Sequence, residues 1–560
     1  MKPYALNPTI EYRDIQQMLQ GAATIYGKNI AYSFRNKPSD AESVKVSFQE
    51  LKDQVDDLAV ELMAQGCAGK HCAVIGKLTF PWIKLYYALL SIGAVVVPLD
   101  REWSGEELAT TVSFADCEYL FHDADLGAKG DIIMASEDCH ILGRFAIAYE
   151  GEGTTAELEA RGAAMEQKPR LPKIDPFVCA EIVFTSGTTG KGKGVMLSQN
   201  AILTDIAGGM EYISVGKKTI AVLPPHHTFG STVNLLGHML TGSEVYLSSG
   251  LRYIQKELKA EQPEHLILVP LYLETFYRKI LANAKETGKE TILSYMMKVS
   301  NGLRRVKLDL RQKMFGSILS VFGGKLNLVI CGGAPLNTEI VHAYESWGIK
   351  VLNGYGITEC APLLSVNRNK EQVPGSVGRI LRCVDMIIAE PNEDGEGEIR
   401  VKGPNVMMGY YKDEAATAAA FDENGYFRTG DYGKIKDDIL TITGRLKNLI
   451  ILSNGKNVYP EEIETELCAT GGILEIVVYE GQSKRGNAYN TIVAEIYPDN
   501  DYITANGIED VAAYLKDKID EYNRTATSYK KVGMLKVRKE EFPKNTLRKI
   551  KRFELDRTIK

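Results

Sequence analysis

Apolar positions return along the chain in two alternating rhythms. In VSFQELKDQVDDLAVELMAQG, residues 46–66, they recur every three or four places, which predicts an amphipathic helix closed by Gly66, and HCAVIGK after it reads as a buried strand. PWIKLYYALLSIGA followed by VVVPLD repeats the switch from helix to strand. HLILVP, LNLVICGGAPL and KVLNGYG read as strands with loops at their C-terminal ends, where open α/β sheets place their ligands. The alternation predicts a large α/β protein. Between Thr275 and Gly324, Leu, Ile, Met and Phe keep helical spacing opposite a basic face, so this stretch reads as a long helical segment, either a solvated helix pair or a surface that meets acyl chains or membrane lipid. After Gly430-Asp431 the segments shorten, Pro460 with two glutamates marks a helix start, and LEIVVYE, NTIVAEIYP and VAAYLKDKIDEYN predict a small α+β unit. The polar GRLKN, Gly444 to Asn448, is the expected boundary, dividing the chain into 1–444 and 445–560.

Bulk properties narrow the function. A chain of 560 residues predicts two or three structural units. A formal net charge of −6 argues against nucleic acid as a partner, although residues 511–560 hold fifteen Lys/Arg against seven Asp/Glu, which reads as a solvated face or a phosphate-facing one. Nine cysteines without C-x-x-C or zinc spacing fit a reducing cytoplasm. The N-terminus lacks the apolar core of a signal peptide, and the longest apolar run, Leu85 to Leu99, contains Gly93 and Pro98 and is short for a membrane span, which leaves at most peripheral membrane contact.

TSGTTGKGKGVML, Thr185 to Leu197, reproduces the start of a P-loop at Gly187 and Gly192-Lys193, but Gly194 stands where a magnesium-binding Ser/Thr belongs. The β-branched, apolar residues after Gly194 and the helix-cap signal at Ser198 or Asn200 predict a hairpin loop instead, rich in hydroxyls and N–H groups that can wrap a triphosphate. Alone, such a loop is equally a mobile hairpin, and a P-loop phosphotransferase stays open. His226-His227 matches the start of the H-H-x-x-x-D pattern of acyl-transfer condensation domains, but Ser231 takes the place of its Asp.

The ordered set FTSGTTGKGKGV, LPPHHTFG, ICGGAPL, NGYGITE, YFRTGDYGKI, GRLKNLI, NGKNVYPEEIE and FPKNTLRKIKR, from about Tyr26 to Arg552, resembles the adenylate-forming superfamily of acyl-CoA synthetases, peptide-synthetase adenylation domains and firefly luciferase. With its helical insertion before GGKLNLVICGGAPL, the chain looks most like the long-chain fatty acid–CoA ligases. The resemblance implies the adenylate-forming enzyme fold, a large N-terminal domain of mixed α/β sheets with a small mobile α+β C-terminal domain. It implies an acid–thiol ligase for a medium- or long-chain fatty acid, or alternatively an aryl or steroid-like acid, that uses ATP, Mg2+ and coenzyme A, or a separate carrier protein, since the sequence contains no D-S-[LI] attachment motif.

Carried over residue by residue, it implies ATP binding by Thr185, Ser186, Gly187, Thr188, Thr189, Gly190 and Lys193, by Gly333, Ala334 and Pro335, and by Asn353, Gly354, Tyr355, Gly356 and Thr358. Tyr355 would stack on adenine, Thr358 would reach the α-phosphate and Glu359 would hold magnesium. Asp431 would accept bonds from the ribose hydroxyls, with Arg445 nearby, and His227 would stand by the substrate carboxylate. Lys447 matches the hinge, and Lys456 in NGKN stands as a further contact to coenzyme A. Lys549 matches the catalytic lysine, with Arg548 where the family has Gly and Lys551 as the neighbouring register. FGSTVNLLGHML and CAPLLSV would line a fatty-acid channel.

Overall fold

The structure, a computed structural model, describes residues 5–185, 192–452, 457–482, 488–544 and 550–559. The first predicted helix runs Phe48–Ala64, opened by a capping box between Ser47 and Glu50 and ended where Gly66 turns to a φ of 86°. It buries Leu51, Val55, Leu58 and Leu62 and delivers the chain to the strand His71–Ile75.

That strand lies in a seven-stranded sheet. Its order is Gly409–Tyr410, Lys193–Ser198, Cys179–Thr185, Val95–Leu99, His71–Ile75, Tyr119–Asp123 and Gly143–Ile147. The last five strands are parallel, so Thr185 and Asp100 emerge at the same edge. A nine-stranded sheet opens with three parallel strands, His265–Leu268, Leu328–Cys331 and Lys350–Gly356, and continues antiparallel to Phe427–Lys436 and Ile439–Arg445. A four-stranded sheet holds Ile30–Phe34 and Glu244–Leu247. After Arg445 come a turn at Leu446–Asn448, a helix at Pro460–Cys468 and a three-stranded sheet of Ile473–Gln482, Ala488–Pro498 and Met534–Val537, with the helix Val511–Thr525.

The helical stretch differs from its expectation. It begins at Pro270 and is four helices, Pro270–Glu286, Glu290–Arg305, Arg311–Met314 and Gly316–Val321. Left-handed backbone at Gly288 and Lys307 breaks it, with φ of 65° and 64°. Leu273, Phe276, Phe315, Leu319 and Phe322 pack with Tyr344 and Trp347 in a core of their own, so the insertion is buttressed on one side while Ile292, Tyr295 and Val306 remain exposed. No helix among the described residues is long and apolar enough to cross a membrane.

Glu181, in the strand Cys179–Thr185, is fully buried, and its carboxyl accepts from the Tyr86 hydroxyl at 3.3 Å. Burial pushes its carboxyl up to about 8 against a small opposing pull from Tyr86. The native state therefore keeps a proton that the unfolded chain loses near pH 4.5, so this contribution to stability is fully present below that pH and is lost as pH rises through about 8. Glu181→Gln, the shape of the neutral acid, should raise Tm by several degrees at pH 8 and leave it nearly unchanged at pH 4.5. Thermal unfolding at both pH values checks this; equal shifts would assign the effect to packing.

Candidate active site

The two large sheets bring the motifs together at the C-terminal edges of their parallel strands. Thr185 pairs with Lys193 across an antiparallel hairpin, as the sequence predicts, and its hydroxyl donates to the Lys193 carbonyl at 3.5 Å. Ser186, Gly187, Thr188, Thr189 and Gly190, together with Lys456, Arg548 and Lys549, lie outside the described residues. The Lys193 ammonium sits 4.4 Å above the centre of the Tyr410 ring, and the Tyr410 hydroxyl donates to Glu359 Oε1 at 3.0 Å. Tyr410 was not singled out from the sequence. Its short strand pairs with Val195 and Met196 on the strand that Lys193 begins.

Glu359 follows the strand Lys350–Gly356, in a 3-10 turn Thr358–Cys360. The turn closes with Ala361 in the left-handed region, φ 63°, and the Ile357 N–H donates to the Pro362 carbonyl at 2.8 Å. A Cβ at Gly356 would meet that same carbonyl oxygen at 2.1 Å, so only glycine fits. Asn353 pairs with Cys331, after which Gly333, Ala334 and Pro335 stand exposed at the sheet edge. A Cβ at Gly332 would lie 3.3 Å from the Gly354 carbonyl and 3.6 Å from the Phe229 ring, so three motifs meet there.

A buried carboxyl fixes this turn from behind. Asp205, on the helix Gln199–Tyr212, accepts from the Leu363 N–H at 2.9 Å and from Asn405 Nδ2 at 3.3 Å. The Asn405 amide also donates to the Cys360 and Leu363 carbonyls, and the Met407 N–H donates to the Glu359 carbonyl at 2.8 Å. Burial holds the Asp205 carboxyl well above the usual carboxylate range, against the pull of its bonds from Asn405 and Leu363.

A second line of contacts runs through Asp431. Its Oδ2 accepts from the Tyr355 hydroxyl at 2.6 Å, its Oδ1 forms an ion pair with Arg445 Nε at 2.7 Å, and its backbone pairs with Arg445 across adjacent strands. Lys447 lies in the turn just beyond, where the Asn448 amide donates to Glu461 Oε1 at 2.6 Å.

His226 and His227 stand at the same edge with ring centres 4.3 Å apart. His226 is buried, with Nε2 3.7 Å from Asp100 Oδ2, and burial lowers its pKa more than Asp100 and Glu102 raise it. His227 is the more exposed of the two. The segments expected to line a channel are packed into the main core, with Leu235, Leu236, Cys360 and Leu364 fully buried. A cavity of about 370 Å³ lined by Ala68, Gly93, Ile174 and Val178 lies at the opposite edge, near the starts of Val95–Leu99 and Cys179–Thr185, away from these motifs.

The described residues contain no cluster of three or more His, Cys, Asp or Glu that could cage a metal. Glu359 is a single carboxylate with one hydroxyl donor at Oε1, which suits a hard cation that takes one or two carboxylates and completes its shell with phosphate oxygens. Asp205 and Asn405 were also missed from sequence, since each acts through a distant segment. Asp205→Leu should strand the Leu363 N–H and take one acceptor from the Asn405 amide, costing about 1–3 kcal/mol. Urea unfolding measures it, and a loss under about 0.5 kcal/mol, the range of a neutral surface change, would refute the clamp.

Comparison with known proteins places these features. The sequence profile described as AMP-binding enzyme matches residues 19–411. The long-chain-fatty-acid–CoA ligase FadD15 of Mycobacterium bovis is 27% identical over 455 residues, 77% of this chain and 75% of its own length. A chloroplastic long-chain-fatty-acid–[acyl-carrier-protein] ligase of Arabidopsis thaliana, AEE15, is 25% identical over 556 residues, 85% of this chain and 75% of its own. The o-succinylbenzoate coenzyme A synthetase of Bacillus subtilis, solved with ATP and a magnesium ion, superposes with a TM-score of 0.70 at 21% identity, covering 96% of this chain and 98% of that one, which shows a shared fold. The chain belongs to the AMP-binding enzyme family.

Proposed function

We propose that this protein activates a carboxylic acid with ATP, releasing pyrophosphate, and transfers the acyl group from the acyl-adenylate to coenzyme A, giving acyl-CoA and AMP. The acid we assign is a medium- or long-chain fatty acid, in keeping with the FadD15 likeness. The observation that carries the reading is the meeting of Lys193, Glu359, Asp431 and Arg445 at one edge, connected through Tyr410 and Tyr355. Such a site offers cations to a polyphosphate and carboxylates to a metal and a ribose.

In the first step a carboxylate oxygen of the acid attacks the α-phosphorus and the bond to the β-phosphate oxygen breaks. Lys193 and the hydroxyls of Thr185, Ser186, Thr188 and Thr189 hold the leaving pyrophosphate. Glu359 would hold magnesium with the phosphate oxygens, which supplies positive charge against the polyphosphate. Thr358 faces the α-phosphate and His227 orients the acid. Tyr355, bonded to Asp431, adjoins base and ribose, framed by Gly333, Ala334, Pro335, Asn353, Gly354 and Gly356. Lys549 moves onto the carboxylate and α-phosphate oxygens as charge develops. In the second step the thiol sulfur attacks the acyl carbon, the bond to AMP oxygen breaks and the thiol proton leaves. Residues 445–560 turn about Lys447 between the steps, in line with the start of a separate sheet beyond Arg445. We place the protein in the cytoplasm, with at most peripheral membrane contact.

A second reading, transfer to a carrier-protein phosphopantetheine, is favoured by the likeness to the Arabidopsis carrier-protein ligase. Pyrophosphate exchange over acids of graded chain length, followed by coenzyme A and carrier-protein acceptors, separates the readings. We expect acid-dependent exchange that strengthens with chain length; ADP as product without acid-dependent exchange would overturn the function. Lys549→Ala should lower adenylate formation about 10²–10³-fold while leaving thioester formation from supplied acyl-adenylate largely intact. Equal loss of both steps would make Lys549 structural.

A further inference from the structure

Tyr410 touches both phosphate-facing elements at once. Its ring lies under the Lys193 ammonium at 4.4 Å and its hydroxyl donates to Glu359 Oε1 at 3.0 Å. The residue is 8% exposed, and its backbone is pinned on both sides. Met408 N–H donates to the Met196 carbonyl, Tyr411 N–H to the Gly194 carbonyl, and the Tyr410 N–H to Thr417 Oγ1 at 2.8 Å. A side chain held this way has little freedom, so it fixes what it touches.

The chemistry of the contact is specific. A lysine or arginine in place of Tyr410 would pair with Glu359 and compete with any cation for its charge. A neutral hydroxyl instead sets the orientation of the carboxylate, leaves its negative charge in place and leaves the second oxygen open to a cation. The ring face meanwhile holds the lysine without neutralising it.

We propose that Tyr410 is a positioning residue that couples Lys193 to Glu359, so that the triphosphate and its divalent cation bind as one unit. This rests on the functional reading above, in which Lys193 meets the polyphosphate and Glu359 the magnesium. It assigns to the segment Gly409–Tyr410 a role in nucleotide affinity that no sequence motif pointed to.

The test is equilibrium binding of a non-hydrolysable ATP analogue to the full-length protein by calorimetry across a range of magnesium concentrations, with Tm followed in parallel. Tyr410→Phe keeps the ring and removes the hydroxyl. It should need about tenfold more magnesium for half-maximal nucleotide binding, and excess magnesium should restore the native affinity. Tyr410→Leu removes both contacts and should in addition weaken binding several-fold at saturating magnesium. A Tyr410→Phe protein with the native magnesium requirement overturns the proposal, whether its Tm is kept or lowered, because a role in packing alone moves Tm and not the magnesium midpoint. A native protein that binds the analogue at no magnesium concentration overturns the functional reading and the proposal together.

Discussion

One buried carboxyl holds the active edge in register. Asp205 reaches from the helix Gln199–Tyr212 to the Leu363 N–H and the Asn405 amide, and Asn405 spends the rest of its donors on the Cys360 and Leu363 carbonyls. The turn that presents Thr358 and Glu359 contains a left-handed alanine and a glycine with no room for a Cβ, so it is not a conformation the local sequence would hold alone. The Leu363 N–H and the Glu359, Cys360 and Leu363 carbonyls find partners in the helix and the 403–407 segment that close over it. Each bond adds about 1 kcal/mol net, yet leaving one unmade in the interior costs more, which makes the arrangement close to all-or-none.

From that fixed turn the charged groups extend in two lines. Glu359 leads through Tyr410 to Lys193, and the strand just before it leads through Tyr355 and Asp431 to Arg445. Every one of these charges has a partner within the chain, so none is left bare in the absence of nucleotide. The partners are neutral hydroxyls and a ring face for all but the Asp431–Arg445 pair. Such partners orient a charge without cancelling it, which keeps the field available for a ligand that carries several negative charges.

The fold was largely legible because alternation and helix punctuation are local properties. The capping residues around Phe48–Ala64, the hairpin Thr185–Lys193 and the strands ending at Cys331 and Gly356 all lie where periodicity and turn residues put them. The helical insertion was legible in kind and not in number, since Lys307 takes a positive φ that no composition rule marks. Motif residues such as Tyr355, Glu359, Asp431 and Arg445 were legible from their place in an ordered string, and the structure brings them to one edge. Asp205, Asn405 and Tyr410 carry no such mark. Asp205 meets Leu363 across 158 positions of sequence and Tyr410 meets Glu359 across 51, so their roles exist only once the sheets have formed.

The contact between the insertion and the C-terminal part argues for a joint that can open. Arg278 lies 3.6 Å from Asp499, and the Lys285 ammonium donates to Asn506 Oδ1 at 2.6 Å and to the Ala505 carbonyl. The Lys285 contacts are exposed and the Arg278–Asp499 pair is part-exposed, so each is worth about 1 kcal/mol or less in water. Within the C-terminal part the ties are tighter: Arg552 bonds to Glu464 and to the Val478 carbonyl, and an apolar core of Ile463, Leu467, Val478 and Ile519 lies beneath. The C-terminal part is thus firmer inside than at its contacts with the insertion. Between it and the nine-stranded sheet the chain passes through Leu446–Asn448, a turn held by the Asn448–Glu461 bond. The rotation proposed above would pivot at that turn and would part the rings of Tyr432 and Tyr459, which stack across it with centres 5.2 Å apart.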